Sequence, residues 1–242
     1  MFFVEGWRWL AEVLALPEPP ECVLIVPGIA RTAAEEALLE RVRTSRCDVV
    51  DATPAQLGRL TDSVTPPGVV ALVRWRPLEP ASASRSLPHR GPALVLALDA
   101  LADPGNVGTL VRTADWFGAG AVILGEGSVE ATNPKLVRAT MGSLFHLPVA
   151  QSNSLSETVG NFRAAGFAAV GADLDGQDLR EFRWPERAVL VIGNEANGIR
   201  GELAASLDFR VRIPSFGRAE SLNAAVAGAV LMAEWRRTAG KG

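Results

Sequence analysis

Residues 93–114 read ALVLALDALADPGNVGTLVRTA, and this stretch decides the fold. ALVLALD (93–99) is an uninterrupted apolar run of strand length, the pattern of a parallel strand buried on both faces. GTLVRTADWFGA (108–119), beyond the Pro-Gly break, reads as a helix. The alternation then repeats to the carboxyl end. AVILG (121–125), FAAVGAD (167–173), AVLVIGNE (188–195) and FRVRIP (209–214) read as further strands. NPKLVRATMGSLF (133–145), SLSETVGNFRAAG (154–166), GIRGELAASL (198–207) and SLNAAVAGAVLMAEWRR (221–237) read as helices. Strands alternating with helices predict an α/β fold with a mostly parallel sheet.

Upstream, the rhythm is shorter. FFVEGWRWLAEVLAL (2–16) has apolar residues at helical spacing, followed by the strand CVLIVPG (22–28) and the Ala-, Leu- and Glu-rich helix ARTAAEEALLERVRTS (30–45). CDVVDATP (47–54) and GVVALVRWR (68–76) read as strands flanking a short helix, AQLGRLTDS (55–63). PLEPASASRSLPHRGP (77–92) is rich in Pro, Ser and Ala without hydrophobic periodicity, and reads as a linker. The expected organisation is a small α/β domain over 1–76, a linker over 77–92 and a larger α/β domain over 93–242.

Composition narrows the function. Hydrophobic residues are 48% and charged residues 21% of the 242, which suits a packed core and not a long disordered chain. No uncharged apolar run approaches the ~20 residues of a membrane span, and the Glu5- and Glu12-containing start lacks the form of a secretory signal. A cytoplasmic protein is expected. Cys22 and Cys47, with His89 and His146 far apart, offer neither a disulfide framework nor metal-ligand spacing, so no metal is expected. The formal net charge of −3 argues against non-specific coating of nucleic acid. All but two of the 24 cationic residues are arginine, which reflects genomic base composition or phosphate contact.

Ligands of parallel α/β sheets sit at the carboxyl ends of the strands. Three predicted loops there carry glycine with polar residues: ALADPGNVGTLVRTA, GNEANGIRGEL and PSFGRAESLNAAVAG. None is a known nucleotide motif. GxxxxGK[ST] and GxSxG are absent, and Glu130 stands where GEG (125–127) would need its third glycine.

Taken in order, Asn106-Val107-Gly108 with Arg112-Thr113-Ala114, then 192–199 (IGNEANGI), then 213–227 (IPSFGRAESLNAAVA), resemble the three motifs of the SpoU (TrmH-like) RNA ribose methyltransferases of the SPOUT superfamily. Ala224-Ala225 stands where a valine-serine pair is more usual. The resemblance covers roughly 93–237. The first 76 residues, beginning near FFVEG, resemble the L30e-like RNA-binding domain often fused to these enzymes.

The resemblance implies a carboxyl-terminal trefoil knot, a homodimer, S-adenosylmethionine as methyl donor and an RNA ribose 2′-hydroxyl as acceptor, most readily in ribosomal RNA. It also implies cofactor contact at Gly193, Ile213 and Leu222, and catalytic positions at Arg112, Asn106, Glu195, Ser221 and Asn223. A guanidinium rarely gives up its proton, so Arg112 suits clamping a phosphate and stabilising a developing alkoxide better than acting as a base. Ser221 and Asn223 also suit helix capping. Two further readings stand beside this one within the fold: an RNA-binding module without catalysis, and a transfer-RNA ribose methyltransferase. A nucleotide-dependent oxidoreductase is disfavoured by the missing dinucleotide fingerprint.

Overall fold

The computed structural model describes residues 1–61 and 67–239. It divides into two compact units, Met1–Arg76 and Pro77–Gly242.

The first unit is a four-stranded mixed sheet of β1 (Phe2–Glu5), β2 (Cys22–Ile25), β3 (Asp48–Asp51) and β4 (Val69–Val73), in the order β1-β4-β2-β3. β4 runs antiparallel to β1 and β2, and β2 parallel to β3. Helices α1 (Trp7–Val13), α2 (Ala33–Thr44) and α3 (Pro54–Leu57) connect them. α2 starts at a capping box in which Thr32 and Glu35 satisfy each other's backbone amides, and Arg41 and Arg43 occupy its last turn.

The helix expected over 2–16 is corrected. Phe2 and Val4 are buried while Phe3 is exposed, a two-residue period that pairs with β4. Gly6, at φ 97°, then turns the chain into α1. The helix expected over 55–63 reduces to α3 and a following turn. Its last two residues, 62 and 63, lie outside the described residues.

The second unit is a six-stranded sheet with every ladder parallel, in the order β10-β8-β9-β5-β6-β7. Its strands are β5 (Ala93–Leu98), β6 (Ala121–Leu124), β7 (Val149–Gln151), β8 (Ala168–Asp178), β9 (Arg187–Ile192) and β10 (Phe209–Arg212). β5, near the middle, buries all six of its side chains. Full burial of a valine, leucine or isoleucine contributes roughly 1.5–3 kcal/mol, so the sheet centre is a stiff platform for the loops at its carboxyl edge.

Around the sheet lie α4 (Pro80–Arg85), α5 (Pro104–Trp116), α6 (Pro134–Thr140), α7 (Ser143–His146), α8 (Leu155–Ala164), α9 (Gly201–Ala205) and α10 (Ala224–Ala239). The sequence reading missed β7 and the extension of β8 to Asp178. It also ran α6 and α7 together, although Met141 in the left-handed region ends α6. The stretch read as a linker belongs to this unit: Leu78 bridges Ala150, and Ala83 and Leu87 are buried in the core under α4. One buried alanine in α4 and one leucine after it do that, too few to make a period in the sequence.

After β10 at the sheet edge, the chain returns so that α10 packs against α5, the helix after β5. Trp235 anchors that return, buried and donating from Nε1 to the Pro185 carbonyl at 3.2 Å. Among the described residues, no helix is long and apolar enough to cross a membrane.

Candidate active site

Asp103 caps α5, its Oδ1 accepting from the Asn106 amide at 2.7 Å, while Pro104 fills the first helical position. Asn106 is therefore in the first helical turn, earlier than the helix start at 108 that the sequence suggested. Its side chain is spent on two partners. Nδ2 donates to Glu195 Oε1 at 2.8 Å, and Oδ1 accepts from Asn223 Nδ2 at 2.9 Å. Asn223 Oδ1 in turn accepts from the amides of Ala225 and Val226, capping α10. One hydrogen-bonded chain thus joins the three segments that carry the three motifs.

The loop after β9 is closed on itself. Asn194 and Gly198 exchange both backbone hydrogen bonds, at 3.0 and 2.8 Å, and Asn194 Oδ1 accepts from the amides of Ala196 and Asn197. A Cβ on Gly193 would stand 2.2 Å from the Gly198 carbonyl carbon, so only glycine fits. The same loop is pinned to the end of β5. Asn194 Nδ2 donates to the Ala100 carbonyl at 2.9 Å, and Asp99 accepts from the Arg200 backbone amide, Nε and Nη2 at 2.8, 2.8 and 2.6 Å. Asp99 is 1% exposed. A carboxylate that deep needs such a partner, since burying an unpaired charge is costly. Its hydrogen bonds also hold the Arg200 guanidinium above its usual pKa. The sequence reading passed over this pair. Its signal was an acidic residue closing an otherwise apolar strand.

Beside these groups opens a cavity of about 660 Å³. The loop after β9, the β10–α10 connection and the middle of β8 form its walls. Gly193, Glu195, Ile213, Ser221 and Leu222 all line it, whereas Asn106, Arg112 and Asn223 do not. Leu222 is 48% exposed, an apolar side chain turned toward open space. Among the described residues, the backbone of 213–222 makes no backbone–backbone hydrogen bond, so its donors and acceptors are available to a ligand.

Arg112 stands apart. It is exposed, six residues beyond Asn106 and so about 9 Å further along the helix axis. It makes no hydrogen bond or ion pair among the described residues, and neither Asn106 nor Glu195 bonds to it. Its helix face continues to Trp116, which is 84% exposed. His146 sits half exposed with Nδ1 3.6 Å from Asp115 Oδ2.

Residues 93–233 match the model of the SpoU rRNA Methylase family. The chain belongs to the SpoU family. Over 237 residues it is 38% identical to the 23S rRNA (guanosine(2553)-2′-O)-methyltransferase RlmP of Bacillus subtilis, covering 96% of this chain and 86% of the relative. Among solved structures it resembles the SpoU methyltransferase AviRb from Streptomyces viridochromogenes in complex with the cofactor AdoMet, with a TM-score of 0.84, 30% identity, and coverage of 100% of this chain and 91% of that one. The AdoMet-bound rRNA methyltransferase from Sinorhizobium meliloti aligns with a TM-score of 0.82 at 32% identity, over 98% and 87% of the two chains. The SpoU likeness thus runs through both units.

Proposed function

We propose that this SpoU-family protein is an S-adenosylmethionine-dependent RNA ribose 2′-O-methyltransferase acting on ribosomal RNA. The observation that carries the reading is the Glu195–Asn106–Asn223 chain, which ties three separate segments together at the edge of one cavity. That cavity fits the donor. Its volume suits a nucleoside-sized ligand, the apolar Ile213 and Leu222 suit an adenine face, and unsatisfied backbone groups of 213–222 suit its polar edges. Gly193, Ile213 and Leu222 would hold it. Bound there, S-adenosylmethionine supplies an electrophilic methyl group on a sulfonium.

The protein's own task is geometric and electrostatic. Holding donor and acceptor in line removes much of the entropic barrier, up to about 7–11 kcal/mol in favourable cases. Glu195 and Ser221, on the cavity wall, orient the ribose from one side. Asn106 and Asn223 fix Glu195 and the start of α10, respectively. Arg112, exposed and uncommitted, clamps the phosphate next to the target sugar and stabilises negative charge as it grows on the 2′-oxygen.

The ribosomal RNA specificity follows the names of the methyltransferases to which this chain is similar. The first unit, with the L30e-like resemblance, supplies RNA grip. A homodimer fits the exposed apolar Val226 and Val230 on α10 and Trp116 on α5, the helix against which α10 packs. The protein works in the cytoplasm, where its substrate is, and needs no metal. Ribose-methylation mapping of total RNA from cells with and without the gene tests the whole reading. One ribosomal site should lose its methyl group in the deletion. Identical maps, or a site lost only from transfer RNA, would overturn it.

A further inference from the structure

Phe216 is 85% exposed, at the lip of the cavity. Its ring stands where anything entering the cavity from solvent would meet it. The ring is also supported. The Arg180 guanidinium carbon lies 5.5 Å from its centroid. Arg180 itself is fixed, because Nε and Nη2 donate to the two carboxylate oxygens of Asp178 at 2.9 and 2.7 Å, and its backbone amide donates to the first at 3.0 Å. Asp178 is buried at the end of β8 and also faces Arg212 at 3.7 Å. Two guanidinium groups thus share one carboxylate, and the charge of Glu181 also acts on Arg180. Two residues further on, Arg218 is exposed and without a partner among the described residues.

We propose that Phe216 is a stacking platform for a nucleobase of the substrate RNA, backed by Arg180, with Arg218 taking an adjoining phosphate. The proposal rests on the reading of the cavity as the methyl donor's seat in an RNA methyltransferase. Every nucleobase offers a π face, and single-stranded RNA is held by such rings together with arginine. The chain around the ring favours this occupant over a protein. The ring is flanked in the chain by the exposed polar and charged Ser215, Arg218 and Glu220, while the exposed apolar Leu174 and Leu222 line the same cavity, where the flat face of a base can meet them. A base stacked there would sit at the mouth of the cavity, where the flanking or target nucleotide must be steadied for its ribose to enter.

The test uses the full chain and large-subunit ribosomal RNA prepared from cells lacking the gene. Methyl transfer is measured for the wild type and for Phe216→Ala, Phe216→Leu, Phe216→Trp and Arg218→Ala. Loss of one base stack predicts that Phe216→Ala raises the KM for RNA by about 5- to 100-fold, with a smaller change in kcat. Tryptophan restores it and leucine does not. The affinity for S-adenosylmethionine, read by calorimetry, stays within about twofold. Arg218→Ala lowers the salt slope of RNA binding by about one. An unchanged KM in Phe216→Ala, or full rescue by leucine, overturns the proposal. So does weakened cofactor affinity, which would assign the ring to the donor, or a fall in sedimenting mass, which would assign it to a second copy. If the wild type transfers no methyl group to this RNA, the function reading itself falls, and the proposal with it.

Discussion

Asn106 donates from Nδ2 to Glu195 Oε1 at 2.8 Å, across 89 positions of sequence. The bond ties the first turn of α5 to the loop after β9. Because Asn106 Oδ1 also accepts from Asn223, one amide sets the spacing of three motif segments. The amide suits this because it offers a donor and an acceptor on one planar group. Asn106→Asp replaces the donor with a carboxylate facing Glu195, and like charges repel. We expect kcat for methyl transfer to fall about tenfold or more, with S-adenosylmethionine affinity nearly kept because Asn106 does not line the cavity. Equal losses in both would show that the bond supports the cofactor seat instead.

Arg112→Ala should leave cofactor binding near normal and reduce methyl transfer by about a hundredfold or more, the scale of losing one charged group at a developing oxyanion. Arg112→Lys should recover part of the rate, since it keeps the charge but not the fork that matches phosphate. Single-turnover rates at saturating RNA separate these outcomes. Lost cofactor binding with residual turnover would remove Arg112 from the chemistry.

Gly193→Ala cannot keep the present backbone, because the added carbon would meet the Gly198 carbonyl at 2.2 Å. The strand end and its loop must part, at a cost of about 1–3 kcal/mol. A lower Tm and weaker S-adenosylmethionine binding in the same variant are expected. A variant with wild-type Tm and affinity would show that the close approach is dispensable.

Asp178 is held down to about 2 from the usual 3.8, first by the side-chain hydrogen bonds of Arg180 and next by its backbone amide, with the charges of Arg180 and Arg212 adding to them. The folded protein therefore binds this proton less readily than the unfolded chain. Its stabilisation is complete above about pH 4 and drains away as pH falls toward about 2. Asp178→Asn should lower Tm at pH 7 and flatten the Tm profile between pH 4 and 2. Calorimetric profiles that run parallel through that window would contradict the assignment.

The sequence made the middle of the second unit legible because its strands are apolar without a break. Five of its six strands needed no partner to be recognised. β7 is three residues long, and β1 shares its apolar residues with the helix that follows, so pairing partners decided both. The three motif segments stood out through glycine and asparagine. Their grouping around a cavity did not, since Asn106, Glu195 and Asn223 meet only through the folded sheet. The Asp99–Arg200 pair was hidden for the same reason, with 101 positions between its members. In sequence Phe216 is like any loop residue, and only the fold sets it exposed at the cavity lip.

The most direct test of the account is a calorimetric titration of S-adenosylmethionine into the full chain and into Leu222→Arg, which puts a long charged side chain into the cavity. The wild type should give saturable heat, and Leu222→Arg should give none while keeping its fold by circular dichroism. No heat from the wild type, or undiminished heat from a folded Leu222→Arg, would contradict the claim that this cavity seats the methyl donor.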